Sequence, residues 1–185
     1  MKKALFIIIV IIIFAAAFYL SRMQPNKLQL STQNSSMMIV ESLAFKNGGD
    51  MPSLYTCDGR AINPPLSISG IPDGTKSLAL IVEDPDATRG LFIHWVVWNI
   101  PSSVLKIEEN SIPEGASEGL SSSGTKGYVA PCPPTGSHRY YFKFFALDTK
   151  LTLFSDTDAS VLEKEIAGHV LDQAYLMGTY SRIQK

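Results

Sequence analysis

The stretch YVAPCPPTGSHRYYFKFFALD, residues 128–148, sets three prolines and a cysteine directly before a run of aromatic rings. Every second position from His138 gives His138, Tyr140, Phe142, Phe144 and Ala146; the positions between are Arg139, Tyr141, Lys143, Phe145 and Leu147. Side chains alternate between the faces of a strand, so the pattern predicts a β-strand whose apolar face opens with a histidine and a tyrosine. Proline has no N–H to give to a ladder, so Pro131, Pro133 and Pro134 predict a stiff loop at the strand's mouth. Polar rings on a core face, held beside a rigid loop, point to a pocket.

Working outward, short apolar runs recur at 37–45, 77–84, 91–100 and 174–182, separated by turn signals such as NGGDMP, SGIPDGT and PEGASEG. A helix is expected at about 161–173, with Ser160 and Glu163 as a capping box and Val161, Leu162, Ile166 and Val170 as its stripe. Many strands and one late helix predict a mainly β fold, an antiparallel β-sandwich. In 77–84 one face reads Leu78, Leu80, Val82, Asp84; in 91–100 one face reads Phe92, His94, Val96, Trp98. The short DPDATRG connection makes these strands antiparallel neighbours, so Asp84 and His94 share one end of the sheet.

If His138 and Tyr140 meet them, a carboxylate, two imidazoles and a phenol surround one cavity. The imidazoles and the phenol can donate hydrogen bonds to an oxyanion. Asp84 repels an anion, so it either orients a histidine or accepts the ammonium of a zwitterionic ligand, with Asp86 assisting from the loop. Three other readings stand beside this one. Each histidine can be a satisfied core residue, as His169 on the helix is expected to be. His94, His138 and Asp84 can form an open facial metal triad in a metal-dependent enzyme. Gly115-Ala116-Ser117-Glu118-Gly119 matches the G-x-S-x-G nucleophile elbow, but it lacks the strand before and the helix after that the elbow needs.

Lys2 and Lys3 precede an unbroken apolar run from Ala4 to Leu20, after which the chain turns polar. This predicts a membrane anchor or signal peptide at 1–20, a tether at 21–37 and one domain at 38–185 lying outside the cytoplasm. Of the 16 Lys and Arg, four (Lys2, Lys3, Arg22, Lys27) precede that domain, leaving twelve against all 17 Asp and Glu, a formal charge of −5. Phosphate backbones select basic surfaces, so nucleic acid is excluded as a partner.

Asp84-Pro85-Asp86-Ala87, then His94-Trp95-Val96-Val97-Trp98-Asn99-Ile100-Pro101, then Pro131-Cys132-Pro133-Pro134-Thr135-Gly136-Ser137-His138-Arg139-Tyr140 resemble the signature of the phosphatidylethanolamine-binding protein family. Tyr55-Thr56-Cys57-Asp58-Gly59 and Pro64-Pro65-Leu66 fit as well, and the likeness is nearest to the bacterial and archaeal Raf-kinase-inhibitor-like branch. The resemblance implies a small anion-binding cavity lined by Asp84, His94, Pro134, His138 and Tyr140, with Asp86, Trp95 and Pro133 supporting them. It implies a small anionic or zwitterionic ligand, such as phosphate or a phosphoethanolamine-like head group, and no catalysis, cofactor or metal. It also leaves open inhibition of a kinase or protease and a homodimer. The only two cysteines, Cys57 and Cys132, fall in loops that the resemblance puts near the cavity, so a disulfide is expected between them. Two positions depart from the family pattern: Thr88 where proline is usual, and Ala130 where glycine is usual.

Overall fold

The computed structural model describes residues 37–182. Nine strands form two sheets: β1 (Ile39–Glu41), β2 (Gly49–Asp50), β3 (Leu66–Ser69), β4 (Ser77–Asp84), β5 (Phe92–Pro101), β6 (Lys106–Ile107), β7 (Ser117–Glu118), β8 (Ser137–Leu147) and β9 (Val170–Ser181). The smaller sheet has the order β1-β3-β6 and the larger β2-β9-β8-β4-β5-β7. These strands pair antiparallel except β2 with β9, which run parallel through Gly49–Gly178 and Asp50–Thr179. The fold is thus mainly β, as expected, but the larger sheet is mixed rather than purely antiparallel.

One core cluster joins Val40, Leu66, Ile68 and Ile107 of the small sheet to Leu78, Leu80, Val82, Phe142 and Phe144 of the large one. The second lies on the other face of the large sheet, where Ala79, Ile81, Val96 and Trp98 meet Ala159, Leu162 and Ile166 of α1 (Ala159–Ile166). This explains why SLALIVED shows no alternation: β4 is buried along its whole length because both of its faces are covered. In β8 the alternation is clean, and His138, Tyr140, Phe142, Phe144 and Ala146 are all buried. Burying one large apolar side chain is worth roughly 1.5–3 kcal/mol, so a one-residue slip of β8 would be costly and its register is fixed.

The helix is shorter than the sequence suggests. Its N-cap is Asp158, whose carboxylate accepts from the Val161 N–H at 2.9 Å, so the Ser160–Glu163 box does not form. Gly168 turns the chain with φ +84°, and Val170 opens β9 instead of extending the helical stripe. His169 sits in that turn, with Nδ1 2.8 Å from Asp148, half exposed rather than in the core.

The expectation of a transmembrane helix does not hold among the described residues. Among the described residues no helix is long and apolar enough to cross a membrane, the one α-helix there covering eight residues. Residues 4–20, on which the anchor, its membrane contact and the location outside the cytoplasm all rested, lie outside the described residues.

Candidate functional site

The sequence's face assignment for β5 fails at one residue, and that residue makes the site. Val82 pairs with Trp95 and Glu83 with Ile93, leaving His94 as an extra residue in the ladder. Such a bulge re-aims the side chains around it. Beyond it, Trp95 and Val97 join the cluster between the sheets, while Val96 and Trp98 join the one under the helix. His94 is turned toward Tyr140, with ring centroids 5.3 Å apart and edge-on.

Asp84 closes β4, and His138 opens β8 on its neighbouring strand. They meet with Asp84 Oδ2 2.7 Å from His138 Nδ1, both buried. The other carboxylate oxygen, Oδ1, accepts the Asp86 N–H at 2.8 Å. Asp84 therefore orients the imidazole and fixes hydrogen on Nδ1, which leaves Nε2 as the nitrogen not engaged by Asp84. Asp86 does related work at the surface. Its carboxylate takes Arg139 Nε at 2.8 Å, Nη2 at 2.7 Å and the Arg139 backbone N–H at 2.9 Å, clipping the β4–β5 loop to the residue after His138. The hydrogen-bonded guanidinium holds the Asp86 carboxyl well down, at about 2.

His94 Nδ1 lies 2.6 Å from the Val129 carbonyl oxygen. A carbonyl only accepts, so Nδ1 carries hydrogen. Burial pulls the His94 pKa below its ordinary value, against the Val129 hydrogen bond and the Asp84 charge, and His138 adds to the lowering. In the neutral ring Nε2 is then a bare acceptor, and it is buried without a partner. The Tyr140 hydroxyl is likewise buried and unpartnered. Burial, with smaller contributions from Asp84 and Asp86, raises its pKa, so it stays a phenol and a donor. Its ring also stacks on His138 at 6.4 Å. These are the two buried side-chain polar atoms without a partner among the described residues, and they belong to one cluster. Native interiors rarely leave such atoms unpaired, and a site for a ligand or water is the usual reason.

Beside them is a cavity of about 220 Å³ whose wall includes Asp84, His94, Pro133, Pro134 and His138. Tyr140 packs behind the two imidazoles and does not line it. Phe92 and Val129 do, and sequence reasoning missed both; Val129 acts through its backbone carbonyl, which no residue type announces. The two departures, Thr88 and Ala130, both face this cavity. Cys132 is on the wall too and is bridged to Cys57, which ties the proline-rich wall to the 53–59 loop. Trp95 lies elsewhere: its Nε1–H donates to Glu118 Oε1 at 2.7 Å, and it lines a separate cavity with Tyr128. Ser117 lies in β7, paired with Trp98, and no helix follows it. Among the described residues no group of three or more His, Cys, Asp or Glu side chains is arranged to hold a metal ion.

The sequence model of the phosphatidylethanolamine-binding protein family matches residues 41–181. A UPF0098 protein of Methanothermobacter thermautotrophicus is 46% identical over 150 residues, covering 78% of this chain and 99% of the relative. Among solved structures, a phosphatidylethanolamine-binding protein homologue from Chlamydia trachomatis aligns with TM-score 0.78 and 42% identity, over 80% of this chain and 100% of that one. YbcL of Escherichia coli, described as a member of the mammalian family, aligns with TM-score 0.74 and 31% identity, over 79% and 99%.

Proposed function

We propose a function for a chain that belongs to the phosphatidylethanolamine-binding protein family, in its bacterial and archaeal branch: reversible binding, without turnover, of small phosphate- or carboxylate-bearing ligands in the cavity at His94 and His138. The observation that carries this reading is the pair of unpartnered buried atoms, His94 Nε2 and Tyr140 Oη, grouped with the Asp84–His138 pair. When both ring nitrogens of His138 carry hydrogen, Nε2–H can donate to an anion while Asp84 balances the charge.

Binding is favoured over a covalent mechanism at Ser117 or Cys132 by where those two groups lie. A covalent mechanism needs a nucleophile with a base in reach. The lining sulfur, that of Cys132, is locked in a disulfide, and Ser117 is not on the wall. Calorimetry with inorganic phosphate on the full-length chain tests the reading. Charge-assisted hydrogen bonds contribute about 1.5–3 kcal/mol, so His138→Ala should weaken binding by roughly ten- to a hundredfold. Unchanged affinity in a folded His138→Ala protein would place the ligand elsewhere.

A further inference from the structure

We infer that His94 acts as a hydrogen-bond acceptor toward the ligand, and that the cavity therefore selects an anion carrying its own proton, a free phosphate or phosphomonoester with one P–O–H, over fully deprotonated anions and phosphodiesters. This rests on the anion-binding reading and narrows it. The bulge aims the His94 ring at the site, and Nδ1 is committed as a donor to Val129 at 2.6 Å. Nε2 is what remains for a ligand, in a side chain that is 4% exposed. A neutral imidazole offers a lone pair there, so the complementary ligand atom is a hydroxyl.

The groups around the ring agree. Asp84 stands on the same cavity wall, and its carboxylate disfavours a second negative charge on the ligand. Tyr140 packs edge-on against His94 and Phe92 packs at 4.7 Å, so neither brings a charge. His138, the remaining titratable neighbour, adds positive charge when protonated and so opposes protonation of His94. A singly protonated phosphate fits the two imidazoles on the wall: its P–O–H donates to His94 Nε2, and an anionic oxygen accepts from His138 Nε2–H. Phosphomonoesters hold their second proton with a pKa near ~6, so this form is well populated in mildly acidic to neutral solution. The phosphodiester of an intact phospholipid has no such hydroxyl.

Phosphate and sulfate have nearly the same shape, but at these pH values sulfate carries no proton and one more negative charge, so this pair tests proton and charge together, and a singly charged diester without a hydroxyl separates the two. Calorimetry on the full-length chain at pH 6 should find inorganic phosphate bound about ten- to a hundredfold more tightly than sulfate, because sulfate leaves the buried acceptor unpaired. Phosphoethanolamine should likewise outbind glycerophosphoethanolamine, which separates a free monoester from a lipid-type diester with the same amine. Sulfate binding as tightly as phosphate, or the diester as tightly as the monoester, overturns the inference while anion binding itself stands. If none of the four binds, the anion-binding reading fails and this one with it. In His94→Gln, whose amide both donates and accepts, the phosphate-to-sulfate ratio should fall well below the wild-type value, to what the charge difference alone sets. A ratio retained in that variant assigns the selectivity to another group and overturns the role given to His94.

Discussion

Asp84 and His138 close on each other across the β4–β8 edge, with Oδ2 2.7 Å from Nδ1. The second oxygen of Asp84 is engaged by the Asp86 N–H. A carboxylate held in this way orients the imidazole. The sequence left open whether Asp84 orients a histidine or accepts a ligand ammonium, and these hydrogen bonds are the first of the two arrangements.

Asp84→Asn should therefore weaken phosphate binding even though it removes a negative charge from the wall. The amide oxygen can still accept from His138 Nδ1, but it no longer balances a charged imidazole. A loss of about tenfold is expected, the lower end for one charge-assisted hydrogen bond. Calorimetry on wild type and variant decides it. A gain in affinity would show that Asp84 acts on the ligand mainly by repulsion.

The disulfide joins Cys57 to Cys132 across a sequence separation of 75. In the chain-entropy model a loop of that length gives ~4 kcal/mol of stability. Cys132→Ser should lower unfolding stability by about that much and also weaken phosphate binding, because the same residue forms part of the cavity wall. Urea unfolding, with and without reductant, measures the first effect. If reductant leaves the wild-type midpoint unmoved, the bridge contributes nothing.

Much of this was legible in the chain, for identifiable reasons. β8 could be read residue by residue because one face is buried and the other is not. β4 was found by its apolar run, although burial on both faces erases its alternation. The five residues expected around one cavity do come together, four on its wall and Tyr140 behind them. What the sequence concealed were departures from period. The bulge at His94 reversed the faces of residues 95–98, so Val96 and Trp98 lie under the helix rather than on the face of His94. Trp95, which the resemblance named as a support of the site, donates instead to Glu118. Val170 fitted a helical stripe, but Gly168 had already ended the helix. The Val129 carbonyl, which decides the tautomer of His94, is backbone and has no signature at all.

The second glycine of the G-x-S-x-G match has a packing reason to be glycine. A β-carbon on Gly119 would meet the Thr157 carbonyl oxygen well inside van der Waals contact, with Trp98 also close. That oxygen accepts the Leu120 N–H at 2.8 Å, so it cannot move away freely. Gly119→Ala should cost ~2 kcal/mol of stability, the usual scale of overpacking. Ser117→Ala should change stability by less than about 0.5 kcal/mol. It should also leave phosphate binding intact. Denaturant unfolding of the two variants, with calorimetry on the second, checks this; an esterase activity lost on Ser117→Ala would revive the nucleophile reading.

The last prediction concerns acid, and its sign follows from His94. Burial keeps this ring neutral in the folded protein, with a pKa below the ordinary ~6.5 that it recovers when the chain unfolds. Between those two values the unfolded chain binds more protons than the folded one, so stability rises with pH there and is lost as pH falls below about 6.5. The loss approaches ~1.4 kcal/mol per pH unit until the folded pKa is reached. Asp86 is shifted in the same direction, in a lower window. Its carboxyl is held at about 2, so its contribution is present above the usual 3.8 and disappears only below it. Tyr140 stays a neutral phenol, folded or unfolded, throughout this range. Between pH 7 and pH 5, then, comparison with His94→Gln isolates the one group that the substitution removes, since His138 and His169 are common to both proteins. Urea unfolding in phosphate- and sulfate-free buffer should show the wild type losing more stability than the variant over that interval. Equal losses would mean that His94 accepts a proton in the folded state as readily as in the unfolded chain, and a neutral acceptor at Nε2 would no longer follow.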